Sequence, residues 1–207
     1  AKRLEGVQGS GIGAIVGDLC DAESIMALRD LMWSLGSLNL DCRQDGAKYD
    51  LSDRSRYTFA SGIVGIDEAD AILVVGANPR LDAPVLNARI RKRYLSLGRG
   101  GLPIGVIGTL SSDPTWAYED LGSNPVSVNG LLSGNVEFVE KLKAARKPMI
   151  IVGQEALTRE DSVAILKACR ALAESVGALT EDWDGLNILH TAASRVAALD
   201  LGFVPRQ

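Results

Sequence analysis

Short, continuous apolar runs alternate along this chain with segments whose apolar residues recur at helical spacing. Four runs predict buried strands, because they are too short and too rich in β-branched residues to be buried helices. They are IGAIVGD at 12–18, AILVVGA at 71–77, PIGVIGT at 103–109 and PMIIVGQ at 148–154. Strands of this kind, separated by helices, form parallel βαβ units. The pattern therefore predicts an α/β fold of three layers, with a mostly parallel sheet between helices on both faces.

The helix after the first strand has clear end signals. Asp21 is the expected N-cap, and Gly36 supplies the stop. Its apolar stripe, which should face the core, consists of Ile25, Leu28, Leu31, Met32 and Leu35. The same reasoning predicts helices at 82–97, 136–146 and 158–176. In the last of these, Thr158 and Asp161 are the expected capping box.

Polar, irregular stretches predict the connections between these elements. The loops are expected at 39–57 and 111–127, and a sub-boundary of the domain at 39–66. The closing segment predicts a short strand and then a helix of small residues, with His190 at the start of that helix. The chain begins at Ala1 and ends at VPRQ, and we expect residues 1–207 to be a piece of a longer chain.

Composition excludes several classes of function. The net charge of −4 argues against a nucleic-acid partner, and no apolar run approaches the roughly 20 residues of a bilayer span, which predicts no direct membrane insertion. Three cysteines at wide spacing predict neither a disulfide framework nor a cysteine metal site. The single histidine, His190, has no visible nucleophile as partner, so we predict no catalytic residue and no metal site. Cys42, beside the cation of Arg43, would have a lowered pKa, but we favour a structural role for it.

Glycine follows each predicted strand, at the sheet edge where parallel α/β proteins bind ligands. The pattern GSGIGAIVG at 9–17 precedes its strand, whereas a dinucleotide fingerprint follows one. GANP at 76–79 has better context, because it follows a strand and opens a helix. Gly76 would admit a ligand to the backbone, and Asn78 would bond to a base or ribose. A tight turn without any ligand explains the same residues equally well.

Four segments resemble a known family: NLDCRQDGAKYD, DEADAILVVGANPRLDAPVLNARIRKRY, PMIIVGQEALTRED and NILHTAASRVAALDLGFVP. They occur in the order seen in the large iron–sulfur subunit of NADH-quinone oxidoreductase, which lies in the peripheral arm of respiratory complex I. The resemblance covers residues 12–205 and is to the alphaproteobacterial and mitochondrial branch. It implies a fold like domains II–III of molybdopterin oxidoreductases of the formate dehydrogenase and DMSO reductase type.

The resemblance also implies a former cofactor site. In the molybdenum enzymes a G-x-N-P turn holds the guanosine end of a bis-molybdopterin, and Gly76, Asn78 and Pro79 match that turn as vestigial cofactor-binding residues. The stretch that would carry the metal ligand is Gln44-Asp45-Gly46-Ala47, in which Asp45 is the candidate oxygen ligand. The polar segment that would contact the cofactor is replaced by His190-Thr191 and by Ala192-Ala193-Ser194. Such losses leave a charged cofactor poorly paired.

What the resemblance implies is a scaffold domain that carries no redox centre. The parent subunit would hold 2Fe-2S and 4Fe-4S clusters in an amino-terminal cysteine-rich region, because three scattered cysteines cannot ligate a cluster. Its partners would be that region and other peripheral-arm subunits, with the basic helix at 89–93 as a candidate contact. The complex would lie on the cytoplasmic side of the bacterial inner membrane, or on the matrix side in mitochondria.

Three other interpretations stay open. One is an α/β domain that retains a molybdopterin or nucleotide ligand. Another is the central domain of a thiamine-diphosphate enzyme, which one βα unit, PMIIVGQEALTREDSVAILKACRALAESVGA, resembles. The last is an isolated βαβ domain with an unknown partner.

Overall fold

The computed structural model describes residues 3–98, 100–134 and 137–205, which form two compact units. Residues 47–191 make up the larger one, called here the sheet unit. The terminal unit combines residues 1–46 with residues 192–207. The division after Gly46 lies within the interval 39–66.

The elements are numbered in chain order. The strands are β1 (Gly13–Ile15), β2 (Asn39–Asp41), β3 (Ala71–Val75), β4 (Ile104–Ile107), β5 (Glu119–Asp120), β6 (Pro148–Val152) and β7 (Leu186–Ile188). The helices are α1 (Ala22–Ser34), α2 (Gly62–Gly65), α3 (Pro79–Asp82), α4 (Pro84–Ser96), α5 (Val128–Leu132), α6 (Phe138–Ala144), α7 (Gln154–Leu157), α8 (Ser162–Ser175) and α9 (Arg195–Asp200). No helix in the described part of the chain is long and apolar enough to cross a bilayer.

The sheet unit is built on a five-stranded parallel sheet in the order β5-β4-β3-β6-β7. Every residue of β3 and β6 is buried, because helices cover both faces. Alternate β3 residues enter opposite halves of the core: Leu73 packs in the cluster of α5, α6 and α8, and Ile72 in the cluster of α4. The predicted α/β fold with a parallel sheet is confirmed.

Several predicted boundaries in the sheet unit are wrong, each for a local reason. The helix expected at 82–97 is broken at Ala83, where α3 ends and Pro84 opens α4. Thr158 does not cap α8; its hydroxyl donates to the Gln154 carbonyl and closes α7. Asp161 immediately precedes α8 and pairs with Arg159 instead of completing a capping box.

Two further differences concern the connections. The stretch at 111–127, expected as a loop, contains the edge strand β5, and it leads into α5, a helix that the apolar pattern does not predict. Of the helix expected at 136–146, α6 forms Phe138–Ala144, whereas Val136 lies outside the described residues.

The terminal unit contains a small parallel sheet, in which Gly13, Ala14 and Ile15 of β1 pair with Asn39, Leu40 and Asp41 of β2. β2 lies in a stretch that was predicted to be a loop, because Leu40 is its only apolar residue. It is a strand because it pairs with β1. The prediction that β1 is buried is wrong for Gly13 and Ile15, which are exposed.

The first helix of the terminal unit, α1, begins as predicted. The Asp21 carboxylate accepts a hydrogen bond from the Ser24 amide at 2.7 Å, and Gly36 follows the helix with a φ of +74°. The predicted apolar stripe is only partly covered. Ile25 and Met32 are buried, whereas Leu31 and Leu35 are exposed.

A buried polar residue fixes the connection that follows β4. Asn87, on the inner face of α4, donates from Nδ2 to the Pro114 carbonyl at 2.9 Å. Its Oδ1 accepts from the Trp116 indole Nε1 at 2.8 Å. The two polar side-chain atoms of Asn87, the Pro114 carbonyl oxygen and the Trp116 indole nitrogen therefore each have a hydrogen-bond partner. Buried polar groups normally have one. Asn87 thus ties the loop at 111–118 to the helix layer.

We expect Asn87→Ala to lower the free energy of unfolding by about 2–4 kcal/mol, because it strands the buried indole N–H and the Pro114 carbonyl. Urea unfolding followed by tryptophan fluorescence measures the loss. Arg91→Ala, at an exposed position of the same helix, is the matched control and should change stability by no more than about 0.5 kcal/mol. Equal losses for the two variants would contradict the role given to Asn87.

Candidate functional site

The strand order of the sheet unit defines where a ligand crevice would lie. From β3 the chain moves outward through β4 and β5, and then returns to β6 on the other side of β3. Ligands of open α/β sheets bind at such a switch point, outside the carboxyl ends of the strands. Here the switch point lies between Gly76-Ala77-Asn78, which follows β3, and Gly153-Gln154, which follows β6.

The two strand exits at the switch point contact each other directly. The Glu155 amide donates to the Gly76 carbonyl at 3.0 Å, and the Gly153 amide donates to the Val75 carbonyl at 2.9 Å. A Cβ on Gly153 would lie 2.3 Å from Cβ of Ala77, and one on Gly76 would lie 2.6 Å from the Ala156 nitrogen. The close packing of the two loops therefore requires glycine at both positions. A tight turn of this kind was the alternative to ligand binding that the sequence had left open for Gly76.

Asn78, the candidate base- or ribose-binding residue, is engaged by neighbouring loops. Its Nδ2 donates to the Ser111 hydroxyl at 3.2 Å, and its Oδ1 accepts from the Ser112 hydroxyl at 3.4 Å. Its backbone amide donates to the Asp82 carboxylate at 2.7 Å. An anion at the start of a helix would need that amide, and here a side chain of the protein takes it.

Pro79 opens α3 and is buried. Gly76, Asn78 and Pro79 thus lie together at the switch point, as their sequence spacing requires. The sequence did not point to Asp82, Ser111 or Ser112 as partners. The spacing in GANPRLD could have indicated Asp82, which lies four residues after Asn78. A carboxylate in the first turn of a helix interacts favourably with the unpaired backbone amides there.

His190 does not lie at a helix start, because α9 begins only at Arg195. It follows β7, its Nε2 lies 2.5 Å from the Tyr57 carbonyl, and its ring is 5.1 Å from that of Tyr49. The Tyr49 hydroxyl also accepts from Gln154 Nε2 at 3.3 Å. These contacts connect the segment before α2 to the ends of β6 and β7.

Asp45, the candidate oxygen ligand, forms an ion pair within the terminal unit. Both its oxygens lie 3.2 Å from the Arg195 guanidinium, one from each terminal nitrogen. The Arg195 side chain is only 2% exposed, and it also lies 3.7 Å from Asp18. The Asp45 carboxylate, the candidate oxygen ligand, thus forms a two-point ion pair with a cation of the protein. Arg195 was missed from the sequence, although an arginine inside HTAASRVAALDLG, a segment of small and apolar residues, was a signal.

Metal-binding groups are scattered in the structure. Among residues 3–98, 100–134 and 137–205, no three or more His, Cys, Asp or Glu side chains are grouped so that they could hold a metal ion.

Cys42 is buried rather than activated. Burial raises the pKa of its thiol from 9.0 to about 11, and outweighs the opposing effect of the Arg195 and Arg43 cations. Arg43, the cation suggested by the sequence, bonds instead to the Asp41 carboxylate at 3.0 Å. The structural role favoured for Cys42 agrees with this environment.

The basic residues of α4 divide into two groups. Arg89 pairs with Asp67 at 3.4 Å, and Arg93 donates to the Ala69 carbonyl at 2.8 Å. These two therefore fix the turn before β3. Arg91 and Lys92 are exposed.

The chain matches a known protein family over its full length. Residues 1–207 match the family model named molybdopterin oxidoreductase. The chain belongs to the molybdopterin oxidoreductase family. A solved chain from the X-ray crystal structure of the formyltransferase/hydrolase complex (FhcABCD) of Methylorubrum extorquens, in complex with methylofuran, shares the fold with a TM-score of 0.54 at 19% identity. The match covers 93% of this chain and 59% of that chain.

Curated relatives confirm the resemblance to the large iron–sulfur subunit of complex I. The chain is 43% identical to the mitochondrial NADH-ubiquinone oxidoreductase 78 kDa subunit of Neurospora crassa over 95% of its length. It is 38% identical to the corresponding NADH-quinone oxidoreductase subunit of Rickettsia felis over 98% of its length. It spans only 26% and 30%, respectively, of those two relatives.

In the folded protein we expect Cys42 and Cys169 to resist alkylation, because burial raises their thiol pKa values to about 11 and about 12. At pH 8 the thiolate fraction of Cys42 is then about 10⁻³, roughly a hundredfold below that of a thiol with the ordinary pKa. Iodoacetamide labelling with peptide mapping measures the rates. Cys20, which is partly exposed, is the internal comparison and should label first. Labelling of Cys42 as fast as that of Cys20 would refute the assigned environment.

Asp45→Asn should lower the free energy of unfolding by about 2–3 kcal/mol, because it leaves a buried guanidinium without its nearest carboxylate. Asp18→Asn is the matched control. Asp18 lies farther from Arg195 and is 53% exposed, so its loss should cost less than about 1 kcal/mol. Chemical unfolding of the two variants gives both values, and a reversed order would contradict the pairing of Arg195 with Asp45.

Proposed function

We propose that this chain is a non-catalytic scaffold domain of the large iron–sulfur subunit of the proton-pumping NADH:quinone oxidoreductase. The observation that carries the proposal is the ion pair between Asp45 and the buried Arg195. It engages the carboxylate that was the candidate oxygen ligand for a metal. The domain would keep the fold of its family while its own side chains satisfy one another.

The names of the relatives support the assignment to this complex. Besides the fungal and rickettsial proteins, the mitochondrial NADH dehydrogenase [ubiquinone] iron-sulfur protein 1 of Solanum tuberosum is 37% identical over 99% of this chain. This chain spans 27% of that protein. Electron transfer from NADH towards quinone would therefore be a property of the whole subunit, with its 2Fe-2S and 4Fe-4S clusters held outside residues 1–207.

The metal end of a molybdopterin does not fit the described residues of the terminal unit. A metal at Asp45 would have to compete with a buried cation, because both oxygens of this carboxylate lie within hydrogen-bond distance of the Arg195 guanidinium. Cys42, the nearest thiol in sequence, has a pKa raised by burial to about 11, so its thiol is protonated at neutral pH and would have to lose that proton to bind a metal.

The guanosine end fits the described residues of the sheet unit no better. Both amide atoms of Asn78 bond to serine hydroxyls, and its backbone amide bonds to Asp82. The exits of β3 and β6 are joined by the hydrogen bond between Glu155 and Gly76. We therefore infer that Gly76, Asn78 and Pro79 are the remnant of a cofactor turn whose polar groups now serve the fold.

The proposed partners are the amino-terminal iron–sulfur region of the same chain and other peripheral-arm subunits. The outer face of α4 supports a contact of this kind, because exposed Arg91 and Lys92 accompany Val85, which is also exposed, on this helix. The complex would place the domain at the membrane periphery, on the cytoplasmic side in bacteria or on the matrix side in mitochondria.

One observation favours a different function, a retained pterin or nucleotide ligand. Gln154, at the exit of β6, has a buried Oε1 that accepts no hydrogen bond from the residues that the structure describes. A buried carbonyl of this kind normally has a donor. A bound ligand or a water molecule would supply one.

Molybdenum analysis and pterin fluorescence of the purified full-length subunit distinguish the two functions. We expect both signals to be far below one equivalent per chain. Stoichiometric molybdenum or pterin would overturn the scaffold proposal.

Asp45→Asn in the intact complex is the complementary test. As a structural residue, Asp45 should affect the amount of complex assembled, while NADH:quinone activity per assembled complex stays at the wild-type value. Asp182→Asn, the same change at an exposed position of the sheet unit, controls for the effect of removing a surface carboxylate. Normal assembly combined with lost activity would assign Asp45 to the chemistry instead.

A further inference from the structure

A cavity opens in the sheet unit at the amino-terminal ends of β4 and β5. Its volume is about 350 Å³. Pro103 and Ile104 line it at the start of β4, and Glu119 lines it at the start of β5. Because the strands are parallel, this edge of the sheet is opposite to the edge at which Gly76 and Asn78 lie. The cavity is therefore separate from the switch point.

Much of the cavity wall is apolar and held in place by the core. Leu102 and Ile104 are each only 2% exposed. Tyr118 supplies an aromatic wall, and its ring lies edge-on to the Trp116 ring, with 6.0 Å between the ring centroids. The Trp116 indole is in turn held by Asn87. A wall whose orientation is fixed in this way lowers the ordering cost of binding a ligand.

Tyr94, on α4, adds a polar group to this wall. The residue lines the cavity and is only 9% exposed. In the part of the chain that the structure describes, the Tyr94 hydroxyl forms no hydrogen bond with another protein group. Polar groups on buried residues normally have a partner, and a phenol can both donate and accept a hydrogen bond. A ligand in the cavity would supply the partner for this hydroxyl.

An ion pair supplies the charged part of the lining. The Lys141 ammonium on α6 donates to the Glu119 carboxylate at 2.5 Å. The two opposite charges offset each other, so the pair does not favour a ligand of either charge. Within residues 3–98, 100–134 and 137–205, these two side chains bond only to each other. An ammonium has three donors and a carboxylate two acceptor oxygens, so the pair can still both donate to a ligand and accept from it.

We propose that this cavity binds a small, uncharged aromatic molecule that carries an amide or a similar group. Its ring would pack against Tyr118 and the apolar wall. The carbonyl of its amide would accept from Lys141 or Tyr94, and the amide N–H would donate to Glu119. The volume is at the lower end of the roughly 300–1,000 Å³ of small-molecule sites, which favours a ligand with a single ring system. The inference does not depend on the scaffold function.

Benzamide is the probe that tests this proposal, because it joins one aromatic ring to an uncharged amide. Saturation-transfer NMR on the purified full-length subunit measures its binding. Benzoate has nearly the same shape, but its carboxylate would be repelled by Glu119 and has no N–H to donate. We expect benzamide binding to saturate, and benzoate to bind about tenfold more weakly.

Two tyrosine variants locate the bound probe. Tyr94→Phe removes only the hydroxyl and should weaken benzamide binding about three- to tenfold. Tyr118→Ala removes the aromatic wall and should weaken it about tenfold. Tyr49→Phe and Val163→Ala are the matched controls, because neither residue lines the cavity, and both should leave binding unchanged.

Glu119→Gln gives a readout that a purely structural residue would not produce. The variant leaves the Lys141 ammonium without its carboxylate partner, so benzoate should bind about tenfold more tightly than to the wild type. Benzamide binding should change much less, because glutamine can still accept its N–H. The Glu119 side chain is 43% exposed, so this test remains informative even if Tyr118→Ala fails to fold.

Several results would overturn the proposal. Benzamide that shows no saturable binding would refute it directly. Equal losses in Tyr94→Phe and Tyr49→Phe would place the probe elsewhere. Benzoate binding that Glu119→Gln leaves unchanged would contradict the role given to the ion pair. Benzamide binding that is present in the isolated subunit and lost in the assembled complex would assign the cavity to a neighbouring subunit.

Discussion

The contact between the exits of β3 and β6 is the constraint on which the sheet unit depends. These two central strands pair over their full length, from Ala71 with Pro148 to Val75 with Val152. Immediately beyond them, Gly76 and Gly153 allow the two loops to approach so closely that a side chain at either position would collide with the backbone or with Ala77 or Ala156. The two loops can therefore approach this closely only because neither position has a Cβ. At the switch point, the loop that follows β3 therefore packs directly against the loop that follows β6.

In each unit, a carboxylate forms a hydrogen bond with another group of the protein at the candidate site. In the sheet unit, the Asp82 carboxylate takes the amide that an anionic ligand would need. In the terminal unit, the Arg195 guanidinium takes the carboxylate that a metal would need. A ligand that binds only the folded state adds to stability by mass action, and a fold that loses the ligand loses that contribution. Pairs within the protein, such as those of Asp82 and Asp45, contribute to stability without any ligand.

The sequence was sufficient for elements whose signal is local. The runs AILVV, IGVI and PMIIV predicted β3, β4 and β6, because strands buried on both faces must be apolar throughout. Asp21 was recognised as a cap, since capping depends only on residues three apart. By contrast, β2 and β5 contain mainly polar residues and are strands only because a neighbouring strand pairs with them. Thr158 does not cap α8 as predicted, because its hydroxyl donates to the Gln154 carbonyl at the end of α7.

The same distinction applies to the candidate site. Gly76, Asn78 and Pro79 were found because their spacing is local, but the groups that bond to Asn78 could not be chosen from spacing alone. Arg195 and Asp45 are 150 residues apart in sequence, and no periodic pattern joins them. Burial was the least predictable property, since it depends on what else packs nearby. An apolar pattern shows which side of an element requires cover, and the exposed Ile15 and Leu35 show that the requirement is not always met within 207 residues.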